Sequence, residues 1–330
     1  MHRRTFIGSC VLSTVAATVA KSQPKPSGGG KRAISALISA RRLETQVKID
    51  QLRMAYHSDA IRVEPGTLKP SVGRAEIVEN IRKSAQERRL LYFYYRQPQV
   101  LEIGNTALVV SNYEAGYDDG GKTVEDTGKV TNVVLLGPNQ PLITQEVIVP
   151  NIYAGGYGAL GTALSSPRFG MFPLRALGPN PVEAVNAGGG ENDVLYQQVR
   201  KINNGWLSGN TNDVLKYANR SGVFLVGDYS PYYITGDDDL KQHFADFYRT
   251  SRVNSVRALD PIVRIWGNVA AVAFIFDLDY TINDKTRRSP GRGLYTFVRR
   301  GAPNLPWGMA ACAASHLVLR NIGDPYPLER

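Results

Sequence analysis

Ile103-Gly104-Asn105-Thr106-Ala107 returns as Trp266-Gly267-Asn268-Val269-Ala270, an offset of 163 residues from 103 to 266. In each copy a Gly-Asn pair separates apolar, β-branched runs, which is a hairpin signal. The strand after the pair ends at Tyr117 in one copy and Tyr280 in the other. A polar turn follows, then Gly128-Lys129 and Gly291-Arg292, then the β-rich runs TNVVLL (131–136) and LYTFV (294–298). Gly73 and Gly236 share the offset, and each precedes an amphipathic helix. Repeated landmarks at one spacing and in one order point to a duplicated domain.

Working outward, the first copy opens with a helical pattern over about 33–56, where Ile34, Leu37, Ile38, Leu43, Val47 and Leu52 form an apolar stripe. An irregular section holds Ile61 to Gly66, and a helix is expected at about 74–88. Four strand-like runs follow at 91–102, 106–118, 122–136 and 141–150, parted by turn residues. The second copy reads as helices at 191–206, 211–219 and 237–249, then strands at 253–266, 268–281, 292–300 and 307–320. Asp237 to Asp239 sit where negative charge suits a helix N-terminus. Between the copies, residues 151–190 carry nine Gly and four Pro, a linker or an arm whose aromatic and aliphatic residues expect a surface to pack on. Helices followed by a meander of strands give an α+β class. The expected organisation is 1–20 signal peptide, 21–32 tether, 33–150 first domain, 151–190 linker and 191–330 second domain.

The chain has 330 residues, 43% hydrophobic and 21% charged, in the range of folding proteins. Its two Cys exclude a disulfide scaffold and a four-Cys zinc site. No apolar run reaches 18 residues, so a stable membrane anchor is not expected. Arg3-Arg4-Thr5-Phe6-Ile7 resembles a twin-arginine export signal, and Thr18-Val19-Ala20 offers small residues for cleavage. A periplasmic or secreted location is the expectation. Cleavage after Ala20 removes Arg3 and Arg4, takes the net charge from +10 to +8, and leaves Cys312 as the only thiol. The 39 basic residues are dispersed rather than striped with aromatics, which argues against a nucleic-acid partner.

The order of elements resembles the nuclear transport factor 2-like superfamily, which includes ketosteroid isomerases and SnoaL-like polyketide cyclases. The residues that carry the likeness are Tyr56 to Pro65 and Gly73-Arg74-Ala75-Glu76-Ile77 in the first copy, and Trp307-Gly308-Met309-Ala310-Ala311 through Ser315-His316-Leu317 in the second. The resemblance implies two cone-shaped, curved antiparallel sheets, each wrapped around its N-terminal helices. It also implies a ligand pocket inside a cone, and sheet-on-sheet packing that one chain can make as an internal pseudo-dimer, with further homo-oligomers open. The expected partner is a small apolar molecule, and no cofactor is expected.

Glu64 lies nine residues before Gly73, where ketosteroid isomerases carry their proton-transferring carboxylate. A carboxylate in an apolar pocket becomes a competent base near neutral pH. Gly227 stands at the matching offset, with Asp228 beside it as the second candidate. Tyr92, Tyr94, Tyr229, Tyr232 and His316 are the expected pocket residues, and Tyr95 is a further tyrosine of that strand. Residues 31–50 hold no Tyr, and no inward acid is evident near Gly128 apart from Asp126 close by, so an isomerase-type oxyanion hole is not expected. His57 and Asp59 read as a helix end with a capping or surface role, and Asp277 and Asp279 as a solvated strand end. The four His lack ligand spacing, so no metal site is expected. Two functions follow: a proton-transfer isomerase, cyclase or hydratase, or a non-catalytic binding or assembly module with filled cones. A hollow cone with Glu64 or Asp228 pointing in separates them.

Overall fold

The computed structural model describes residues 27–65, 67–151, 171–172, 182–219, 222–228, 230, 232–282, 284–299, 307–316, 318–319 and 328–329. The expected export signal and Tyr229 lie outside the described residues.

The first unit starts with α1 (Gly28–Thr45), capped by Ser27, whose hydroxyl accepts the Gly29 N–H. The apolar period runs on past Thr45, but the helix does not. Val47 takes φ 58°, a left-handed conformation that stops the helix, and a 3₁₀ turn covers Ile49–Met54. The stretch from Tyr56 expected as helix end and irregular chain is instead strand β1 (Tyr56–Val63). After β2 (Ser71–Val72) comes α2 (Arg74–Glu87), then β3 (Arg89–Ile103), β4 (Thr106–Asp119), β5 (Lys122–Leu136) and β6 (Pro141–Pro150). The sheet order is β2-β1-β6-β5-β4-β3. β1 runs parallel to β6, so the sheet is mixed rather than purely antiparallel.

A short β7 (Met171–Phe172) precedes the second unit. That unit has α3 (Gly190–Leu207), α4 (Thr211–Leu215), β8 (Phe224–Gly227), β9 (Ile234–Thr235) and α5 (Asp237–Thr250). Its long strands are β10 (Ser251–Trp266), β11 (Val269–Ile282), β13 (Gly291–Arg299) and β14 (Trp307–His316), with β12 (Lys285–Arg288) inserted between β11 and β13. β14 and β8 are parallel, as β6 and β1 are. Short strands β15 (Val318–Leu319) and β16 (Leu328–Glu329) pair with β7 and β12. Gly73 and Gly236 open α2 and α5 with φ of 84° and 92°, a conformation that residues with a Cβ rarely adopt.

Alternation along the strands sorts the side chains. On β4, Ala107 and Val109 face the helices, while Leu108 and Val110 face away from them. The outward faces of the two sheets pack on each other. Leu108, Val110, Val133, Val147 and Val149 meet Val269, Ala271, Ala273, Leu294 and Ala311 in one core. Each large aliphatic buried there contributes about 1.5–3 kcal/mol. The units therefore stand back to back, with their concave faces on opposite sides. Polar bonds cross the seam: Gln145 Nε2 donates to Thr296 Oγ1 at 2.8 Å, and the Trp266 indole donates to Asp59 at 3.1 Å.

Candidate functional site

The concave face of the second unit encloses a cavity of about 120 Å³. α3 contributes Asn203 and Trp206 to its wall, and α5 contributes His243 and Phe247. The sheet adds Leu225, Phe274, Phe276, Leu278, Tyr280, Tyr295, Cys312 and His316. Two glycines make this wall possible. A Cβ on Gly293 would come within 2.6 Å of the Phe274 ring, and one on Gly291 within 2.1 Å of the Phe276 ring. Without side chains there, both rings lie flat across the neighbouring strand and shape the hollow.

A few polar groups are set into this apolar wall. Asp228, at the end of β8, is fully buried and holds His316 twice. Its Oδ2 accepts the His316 backbone N–H at 2.6 Å, and its Oδ1 bonds the ring Nδ1 at 2.8 Å. A carboxylate only accepts, so Nδ1 carries the proton and Nε2 is the basic nitrogen of the neutral ring. The Phe276 ring stands edge-on to the imidazole at 5.0 Å and fixes its plane. On the helix side, the Tyr295 hydroxyl donates to Asn203 Oδ1 at 2.9 Å. That bond orients the amide. Among the described residues, Asn203 Nδ2 is a buried donor with no hydrogen-bond partner. Burial drives His243 down to about 4 against the opposing charge of Asp246, so it is neutral at pH 7. Burial also pushes the Cys312 thiol up to about 12, which makes it an inert wall group rather than a nucleophile.

The first unit has the same scaffold, with charged rather than apolar residues at the matching positions. Arg62 lies opposite Glu146 as Leu225 lies opposite Cys312. On the helices the offset is 162, which places Arg41 and Glu44 where α3 has Asn203 and Trp206. These four charged groups fill the cone. Arg41 bonds Glu44 at 2.6 Å and also Glu146, Arg62 reaches Glu146 at 3.2 Å, and the Tyr56 hydroxyl donates to Glu146 at 2.8 Å. The Arg41 guanidinium also covers the Phe93 ring at 4.4 Å.

Glu64 belongs to this filled cone. It pairs with Arg62 at 3.1 Å, so its neighbour is a guanidinium rather than the apolar pocket expected for a general base. Asp228 is not a wall group of the cavity; it bonds His316, which is one. The inward placement expected for Tyr92 and Tyr94 is overturned. A bulge between Leu90 and Tyr92 shifts the parity of β3, so Phe93 and Tyr95 turn inward, while Tyr92 and Tyr94 stack on the other face. Tyr94 is 51% exposed, and Tyr232, also expected in the pocket, is 65% exposed. His57 and Asp59 sit on a strand, not a helix end, and bond each other there. Asp277 is no solvated end: it is buried between Arg257 at 2.5 Å and Arg288 at 2.6 Å. Asp126 does point inward, contrary to expectation. It accepts the Tyr113 hydroxyl at 3.0 Å, and burial raises it to about 7.

Sequence reasoning missed Asn203, Trp206 and His243. The signal was the helix alignment at 162, which sets Arg41 against Asn203 and Glu44 against Trp206. Among the described residues, no group of three or more His, Cys, Asp or Glu is placed to hold a metal ion. No described helix is long and apolar enough to cross a membrane.

No protein-family profile matches the chain, and no curated protein does. Solved structures similar to it include the β subunit of the benzoate 1,2-dioxygenase from Burkholderia mallei, 14% identical, covering 36% of this chain and 87% of that one, with a TM-score of 0.32. A ketosteroid isomerase-like protein from Erwinia carotovora atroseptica is 14% identical, covering 36% of this chain and 94% of that one, with a TM-score of 0.33. Each match spans about the length of one unit.

Proposed function

We propose that the second unit binds a small, mainly apolar molecule carrying one hydrogen-bond acceptor, and that His316 moves a proton on it. The observation that carries this reading is a buried Asp–His pair whose imidazole forms part of the wall of an otherwise apolar cavity. Cavities of about 150 Å³ hold benzene, so one ring is the scale of the buried part. The Asn203 amide supplies a donor with no partner among the described residues, which suits a carbonyl or ether oxygen. Asp228 fixes the tautomer and offsets the imidazolium that forms when Nε2 takes a proton. Returning that proton to another atom of the same molecule is an isomerisation. Its use in ring closure or water addition is the same step with a different acceptor. The filled first cone favours the alternative, a structural role, for that unit alone. The twin-arginine segment is the basis for proposing export, which N-terminal sequencing of protein from separated cell fractions tests.

The experiment is a binding comparison by calorimetry with cyclohexanone and methylcyclohexane, rings of similar size with and without an acceptor. Cyclohexanone is expected to bind about tenfold more tightly, the effect of one buried hydrogen bond. Asn203→Leu should erase the preference and keep the apolar binding. Failure of both rings to bind sinks the reading.

A further inference from the structure

Lys129 is a residue of the first unit that sits beside the site of the second. It lies on β5, on the face turned toward the other sheet, and is fully buried. Its Nζ donates to Asn151 Oδ1 at 2.6 Å and to the backbone carbonyl of Ser230. Ser230 is part of the cavity wall, and Asp228 is two residues before it. Burial lowers the Lys129 ammonium to about 7, and the Asp228 charge opposes that shift. A buried ammonium is costly where an aliphatic side chain of similar size would pack.

The contact has a mirror image. At the 163 offset, Lys129 corresponds to Arg292 and Ser230 to Thr67. Arg292 donates to the carbonyls of Thr67 and Glu64 in the first unit. Each unit thus sends one buried cation across the seam onto the segment that follows the other unit's first strand, an isologous exchange. In the filled cone that segment carries Glu64, paired with Arg62. In the hollow cone it carries Asp228, and Asp228 orients His316.

We propose that Lys129 is a positioning residue for the Asp228–His316 pair: by holding the Ser230 carbonyl and facing the Asp228 charge, it completes the second unit's site from the first unit. The inference rests on the reading of His316 above. It makes the first cone a structural partner whose filled interior keeps Lys129 in place.

The test is proton and nitrogen NMR of the full chain without ligand. The His316 Nδ1–H bonded to Asp228 is expected as a downfield, exchange-protected signal that Asp228→Asn abolishes. Lys129→Met should shift that signal or broaden it away, and should weaken cyclohexanone binding about tenfold. Arg292→Met breaks the mirror contact and should cost stability without moving the signal. An unchanged signal in a folded Lys129→Met chain overturns the proposal. So does an equal shift in both variants, which would mean general loosening of the seam. If Lys129→Met does not fold, the Lys129 ammonium resonance of the unaltered chain decides. It should move when His316→Asn is introduced, and indifference would overturn the proposal. Absence of cyclohexanone binding would bring down the cavity reading alone, because the ligand-free signal still decides the role of Lys129.

Discussion

A facing pair of side chains separates the two cones. Arg62 and Glu146 face each other in the first unit, and Leu225 and Cys312 hold the same places in the second. One pair draws in Arg41 and fills the interior with charge; the other leaves room for a ligand. Buried titratable groups also set the pH response. Asp126 titrates near 7 in the fold and near 3.9 when unfolded, so the folded state binds more protons between those values. Its effect is a stability that falls as pH rises from about 4 to about 7. Asp126→Asn keeps an acceptor for Tyr113 and removes the titration. Its urea midpoint should exceed that of the parent at pH 8, by on the order of 4 kcal/mol in stability, and match it near pH 4. His243 has the opposite sign. Its folded value is about 4 against about 6.5 unfolded, so its contribution is lost as pH falls through that window. His243→Phe should flatten the acid side of the stability profile.

At the scale of elements, the hairpins were legible because Gly-Asn pairs and period-two runs dictate them locally. The strand bounds 122–136 and 141–150 agree with β5 and β6. β1 and β8 were not legible. Their strand state comes from parallel pairing with β6 and β14, a partner 84–87 residues away in each case, and no local signal encodes that. The bulge after Leu90 was equally hidden, and it reversed the facing of Tyr92 and Tyr94. His316 was read as a pocket residue and does lie on the cavity wall. Its partner Asp228 was read as the acid itself, since burial behind the histidine depends on tertiary packing. Gly291 is only a repeat landmark in the sequence and Gly293 carries no signal there, whereas both give the cavity its wall. Gly291→Ala tests that. The added methyl has no space beside Phe276, so the ring must turn into the cavity. The expected outcome is a loss of about 1–3 kcal/mol in stability and weaker cyclohexanone binding by calorimetry.

The whole molecule behaves as two units sharing one core. The outward sheet faces are composed of Val, Ala and Leu, and neither face could stand in water without its partner. Arg292, Lys129 and Gln145 reach across the seam to acceptors on the other unit. Opening the seam would strand these buried groups as well as expose apolar surface, so each unit's stability is conditional on the other's. The expected result of calorimetry on residues that include both units is one transition, with calorimetric and van't Hoff enthalpies equal. Two resolved transitions would contradict the shared core. Thr296→Val probes the coupling directly. Thr296 and Gln145 bond each other across the seam at 2.8 Å and 3.2 Å, and valine removes the hydroxyl while keeping its shape. The Gln145 amide is then buried without its partner, at a cost of about 2 kcal/mol. In a shared core that cost appears as a downward shift of the single transition. In independent units it would split the transition and move only one half.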